Sequence, residues 1–221
     1  LTGAVNMLVD ISERKFAEEQ RGLLVAELSH RVKNTLATVI SIGRQSFANP
    51  DTAEARRSFD ARIRALAQTH TRLAESDWSG ALLESMVFDE LAPWRQLRGE
   101  NVSLKGPAVT LGPKCALTLG MAFHELAMNA AIHGALSTKD GRVDVTWDID
   151  TQKRCLTVDW QESGGPPVLE PAREGFGRML LEKVLASDLG GDVQLRFERS
   201  GLTCTIAIPL DRHLVGLRRE Q

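Results

Sequence analysis

Apolar residues recur every three or four positions through the early part of the chain, the period of an amphipathic helix at about 100° per residue. Leu24, Val25, Leu28, Val32, Leu36, Val39, Ile40 and Phe47 share one arc, whereas His30, Lys33, Asn34, Ala37 and Ser41 fall on the other. His30 lies nearly opposite the apolar centre, a position that suits a phosphate acceptor; the alternative is an ordinary solvated side chain. Residues 4–9 read as a short strand, and Asp10-Ile-Ser-Glu13 as a capping box that starts this helix. The pattern runs to about Phe47, where Ala48-Asn49-Pro50-Asp51-Thr52 forms a turn and the cap of a second helix. In that helix Phe59, Ile63, Leu66, His70 and Leu73 alternate spacings of four and three, the seam of a helix pair. The two helices are expected to form a hairpin, with His70 packed in the seam as a structural histidine.

Near residues 75–80 the pattern changes, and helical and β-type segments alternate. Residues 82 to about 97 read as a helix, 101–105 and 108–111 as short strands, and Pro113 opens a long helix reaching about 136. Strands are predicted at about 142–149 and 154–161. A Gly- and Pro-rich loop leads to a helix at about 176–189, a Gly190-Gly191 stop, and a hairpin of 192–199 with 202–209. The fold class is α+β: a helical hairpin, then an α/β sandwich whose mixed, largely antiparallel sheet is covered by helices on one face. The expected divisions are 1–12 as the end of an upstream domain and linker, 13–77 as the hairpin, and 78–221 as the sandwich.

Composition narrows the function. The chain has 221 residues, 43% hydrophobic and 25% charged, enough for a sizeable core. With 27 basic and 29 acidic residues its formal net charge is −2, so no strong field favours nucleic acid or an anionic membrane. No apolar run approaches the roughly 20 residues that cross a bilayer, and no signal pattern opens the chain. A cytoplasmic location is the default expectation. Leu1, in place of an initiator Met, reads as the start of a fragment of something larger. Cys115, Cys155 and Cys204 are odd in number and widely spaced among apolar neighbours, which reads as reduced core residues.

Three segments carry candidate chemistry. In the long helix, Glu125 and Asn129 are four apart and share a flank. A carboxylate beside a carboxamide can hold hydrated Mg²⁺ against nucleotide phosphates; two ordinary exposed polar residues are the plainer reading. His124 and His133 are nine apart and do not fit the i, i+4 pair of a zinc-protease helix. Downstream, Trp160-Gln-Glu162-Ser-Gly164-Gly165-Pro166-Pro167 ends a strand, where the glycines allow close backbone approach and the carboxylate could accept a hydrogen bond from an exocyclic amine. Gly175-Phe176-Gly177-Arg178 then opens a helix whose free N–H groups favour phosphate oxygens. No Gly-x4-Gly-Lys-Ser/Thr occurs, which argues against a P-loop fold.

In this order the residues resemble the HWE group of sensor histidine kinases. His124 with Glu125 and Asn129 matches one signature, Trp160 with Glu162 the second, Glu27-Leu-Ser-His30-Arg-Val-Lys-Asn34 the phosphoacceptor box, and Gly175-Phe176-Gly177 a glycine box. The resemblance spans about 21–210, and residues 1–20 are similar to the end of a PAS or LOV sensor domain with its junction. It implies a dimerisation and phosphoacceptor hairpin followed by a GHKL/Bergerat-type ATP-binding domain, with His30 phosphorylated from ATP and the phosphoryl group passed to an Asp of a response regulator receiver domain. It further implies Mg²⁺ on Asn129, Glu125 as proton acceptor or orienting group, Glu162 on the adenine amine, and Gly164, Gly165, Gly175, Phe176 and Gly177 around the nucleotide. A homodimer through the hairpin and an upstream sensor domain are the implied partners. Two departures stand out. Ile132 occupies the place where similar kinases carry Lys, leaving His133, Lys139 or Arg178 as substitutes, and Arg31 replaces the acidic residue that often follows the phosphoacceptor. Segment 168–174 implies a shortened nucleotide lid. The rival readings are a related ATPase or serine kinase in which His30 is incidental, and a degenerate kinase that docks a regulator without catalysis.

Overall fold

The computed structural model describes residues 39–40, 43, 52–76, 78–95, 101–168, 176–210 and 214–217. The expected strand at 4–9, the His30 box, Gly175 and most of the lid segment lie outside the described residues. Val39, Ile40 and Gly43 are helical.

From Asp51 onward the chain packs as one unit. Helix α1 (Thr52–Glu75) opens it, and its seam buries Leu66 and Leu73 and half-buries Phe59, Ile63 and His70. That seam meets α3 (Pro113–Ile132), at a crossing where Gly120 lets the Thr69 hydroxyl come close. The His70 ring meets Trp78 edge-on at 5.4 Å, and burial lowers its pKa, as expected for a packed histidine.

Strand β1 (Ala81–Leu82) leads into α2 (Leu83–Leu91), and a 3₁₀ turn (Ala92–Trp94) containing Pro93 ends the helix short of the expected 97. Strands β2 (Val102–Lys105) and β3 (Val109–Leu111) precede α3, which stops at Ile132 rather than 136; Gly134 follows, then a 3₁₀ turn (Ala135–Ser137). Next come β4 (Arg142–Asp150), β5 (Cys155–Ser163) and α4 (Phe176–Met179), which continues through a π-helical stretch (Leu180–Val184) into α5 (Leu185–Leu189). Gly190 caps α5 with φ +63°, a left-handed conformation that glycine adopts without steric cost. Strands β6 (Asp192–Glu198), β7 (Gly201–Pro209) and β8 (Leu214–Leu217) complete the order.

The main sheet runs β2-β4-β5-β7-β6, with β2 parallel to β4 and every other pair antiparallel, the mixed sheet that the sequence predicts. Alternate residues point into the core: Val143, Val145 and Trp147 from β4, Leu156, Val158 and Trp160 from β5, and Leu202, Cys204, Ile206 and Ile208 from β7. Against them α3 sets Leu119, Ala122, Phe123, Leu126 and Ala130, all essentially solvent-free. A second sheet, β1-β3-β8, was not expected.

One expectation needs correction. The helix Pro113–Ile132 is long and apolar enough on average to cross a membrane. Here it is two-thirds buried as the central core helix.

Candidate active site

Helix α3 carries the core on one side and the candidate chemistry on the other. Glu125 is 7% exposed, and its carboxylate is gripped by Arg62 of α1: the guanidinium Nε donates to Oε1 at 2.6 Å and Nη2 to Oε2 at 3.1 Å. One turn along, Asn129 is exposed. A Cβ placed on Gly177, in the first turn of α4, would lie 3.2 Å from Glu125 Oε2 and 3.5 Å from Asn129 Nδ2. The structure therefore brings Glu125, Asn129 and Gly177 together, and the absent side chain at 177 is what leaves room beside them.

His124 points the other way. Its Nδ1 lies 2.8 Å from Oε2 of Glu90 on α2, both side chains largely buried, so this imidazole fastens α2 to α3. Beside Glu90, Asp89 pairs with Arg72 of α1. Three polar contacts thus close a ring around α1, α2 and α3: Arg72–Asp89, Glu90–His124 and Glu125–Arg62.

The Trp160–Glu162 pair forms a second cluster at the end of β5. Glu162 is 4% exposed; its Oε2 accepts the Ala135 backbone N–H at 2.8 Å, and its Oε1 accepts the Trp160 indole N–H at 3.2 Å. Burial raises its pKa, and those two donors oppose the rise. Gly134 and Gly201 pack so closely on Glu162 that a Cβ on either would overlap it. Gly164, at φ +69°, passes against the Asp140 carbonyl, and Gly165 against Ala135, while Thr138 Oγ1 donates to the Gly164 carbonyl at 3.0 Å. These contacts tie the turn after α3 to the end of β5. Both oxygens of Glu162 are therefore engaged within the chain, which the motif alone does not reveal.

Of the cations suggested in place of the usual Lys, Arg178 bonds Glu182 at 2.9 Å and lies over the Phe197 ring, whereas His133 and Lys139 are exposed. Ile132 itself is 57% exposed. Sequence reasoning missed Arg62 and Glu90. The faint signal for Arg62 is its place at the seam edge, three after Phe59 and four before Leu66. Among the described residues no group of three or more His, Cys, Asp and Glu side chains could hold a metal. An exposed Asn129 carboxamide beside a carboxylate instead fits Mg²⁺, which keeps several waters and takes few protein ligands.

The HWE histidine kinase family model matches residues 27–108, from Glu27 to the residue before β3. A blue-light-activated histidine kinase of Brucella ovis is 37% identical over 209 residues, covering 93% of this chain. The chain belongs to the HWE histidine kinase family. The corresponding protein of Brucella anthropi is 35% identical over the same length, and in both cases the chain spans 43% of the relative. Among solved structures, the blue-light activated histidine kinase of Erythrobacter litoralis EL346 superposes with a TM-score of 0.63 at 19% identity, covering 95% of this chain and 63% of that one. Its isolated histidine kinase domain gives 0.56 at 15% identity, covering 83% and 95%. These likenesses support the α+β kinase fold. In this chain His124 and its neighbour Glu125 hold two other helices, α2 and α1.

Proposed function

We propose that this chain is the kinase core of a sensor protein, transferring the γ-phosphoryl group of ATP to His30 and then to an Asp of a response regulator receiver domain. The observation that carries the reading is the meeting of Glu125, Asn129 and Gly177 on a chain of this family. The neutral imidazole of His30 attacks the γ-phosphorus in line, a P–N bond forms as the bond to the β-phosphate oxygen breaks, and ADP leaves. With an unperturbed value near 6.5, a histidine has a useful neutral fraction at pH 7. Asn129 would hold Mg²⁺, which supplies charge neutralisation on the phosphate oxygens. Glu125 accepts the imidazole proton or orients the attacking ring, since Arg31 leaves no acid directly after His30.

Glu162 reads the adenine amine through Oε1, the oxygen with the longer of its two internal bonds. Gly164, Gly165, Gly175, Phe176 and Gly177 line the nucleotide. The first helix and α1 serve as the phosphoacceptor hairpin, through which two copies pair, downstream of a PAS/LOV-type sensor domain on the cytoplasmic side, where ATP is found.

The test is labelling with γ-³²P-ATP and Mg²⁺. Acid-labile, alkali-stable label is expected on the wild-type protein and is lost in His30→Gln. Label persisting in that variant would show that another side chain accepts the phosphoryl group.

A further inference from the structure

We infer that Arg62 is a positioning residue of this active site, reaching from α1 to aim and hold the Glu125 carboxylate beside Asn129 and Gly177. The inference rests on the kinase reading above and deepens it. Arg62 acts through Glu125, and no family signature named in the sequence includes it.

The geometry argues for positioning rather than chance contact. A lone ion pair on a surface contributes little, but these side chains are only 12% and 9% exposed and joined at two points, Nε to Oε1 and Nη2 to Oε2. A two-point fork fixes rotation as well as distance. The carboxylate plane of Glu125 is thereby set, and its Oε2 is the atom nearest the place a Gly177 side chain would occupy. A buried carboxylate stripped of its partner is a costly charge, relieved by swinging away. That movement takes the aimed carboxylate from beside the nucleotide.

The neighbouring contacts keep Arg62 in place. Arg72, ten residues further along α1, pairs with Asp89, and Glu90 next to it pairs with His124, the residue before Glu125. Helix α1 is thus anchored independently of the Arg62–Glu125 pair, so loss of the Arg62 fork alone leaves the helix docked. The active site accordingly takes one of its working parts from the segment that the sequence assigns to the phosphoacceptor hairpin.

The experiment compares the full chain with Arg62→Gln, Arg62→Lys, Glu125→Gln and the double variant Arg62→Gln/Glu125→Gln, in autophosphorylation rates across ATP concentrations with melting curves alongside. Arg62→Gln is expected to lower kcat at least about tenfold, the scale of one charge-assisted hydrogen bond, with KM for ATP within about twofold. Arg62→Lys, which keeps the charge without the fork, recovers part of the rate and serves on its own should the Gln variant fail to fold. The double variant is expected to be no slower than Glu125→Gln. An Arg62→Gln rate equal to or above wild type, a change confined to KM, or losses that multiply in the double variant would overturn the inference. No label on the wild-type protein would sink the kinase reading and this inference together, whereas label on wild type with an unaffected Arg62→Gln sinks this inference alone.

Discussion

Glu162 is a carboxylate in a place where water scarcely reaches, and that sets a pH dependence. Burial holds its pKa above the ordinary carboxyl value, against the pull of the Ala135 N–H and the Trp160 indole. The folded state therefore binds this proton more tightly than the unfolded chain does. Its contribution to stability is complete below the ordinary carboxyl value, near 4.3, and is lost as pH rises through the raised folded value. Glu162→Gln has no such proton. The stability of wild type minus that of Glu162→Gln, from urea unfolding at a series of pH values upward from 4.5, is expected to fall as pH rises. A difference that stays flat across that range would mean the Glu162 carboxyl titrates in the fold as it does in the open chain. The variant also turns an amide N–H₂ toward the Trp160 indole N–H while its oxygen serves Ala135. That clash of donors leaves a buried polar group unsatisfied, at a cost of about 1–3 kcal/mol.

At the level of elements, the crossing of α1 over α3 depends on one missing methyl group. A Cβ on Gly120 would lie 2.6 Å from Thr69 Oγ1 and 3.3 Å from Met86 Cε, so alanine there pushes against α1 and α2 at once. Overpacking of this kind costs about 1–3 kcal/mol, partly offset by the better helix propensity of alanine, up to about 1 kcal/mol. Gly120→Ala is expected to lose stability in urea unfolding, and Thr69→Ala in the same chain to restore at least half of that loss. Additive effects would mean the helices do not touch at that point. This crossing was half legible beforehand. The seam of Phe59, Ile63, Leu66, His70 and Leu73 announced a helix with a partner, but periodicity cannot say which partner, and the structure supplies α3. Two central strands of the main sheet were legible because 142–148 and 155–163 alternate between buried and more exposed positions. The β1-β3-β8 sheet was not, since strands of two to four residues carry too few positions to show a period. In the same way Glu125 and Asn129 could be read from their spacing on one helix. The Arg62–Glu125 pair could not, because its partners are 63 positions apart and charge complementarity leaves no periodic trace.

Across the molecule, on the function proposed above, these contacts couple nucleotide binding to folding. The unit from Asp51 onward has α1 fastened to α2 and α3 by charged pairs, and the end of α3 fastened to β5 by Glu162 and Thr138, so the elements around the site unfold together rather than singly. A ligand that binds only the folded form stabilises all of it, by about 2.7 kcal/mol at a hundredfold excess over its Kd. For a body of this size each kcal/mol moves Tm by roughly 2–4 °C, so saturating Mg-ATP is expected to raise the melting temperature by about 5–10 °C in one cooperative transition. Asn129→Ala tests the site directly. Its side chain is exposed on α3, so truncation leaves the core intact and the ligand-free melting temperature within a degree or two of wild type. With one Mg²⁺ ligand removed, the shift produced by the same Mg-ATP concentration should fall by half or more. A full-sized shift in Asn129→Ala would place the nucleotide elsewhere on the protein, and no shift in the wild type would leave the meeting of Glu125, Asn129 and Gly177 without a ligand.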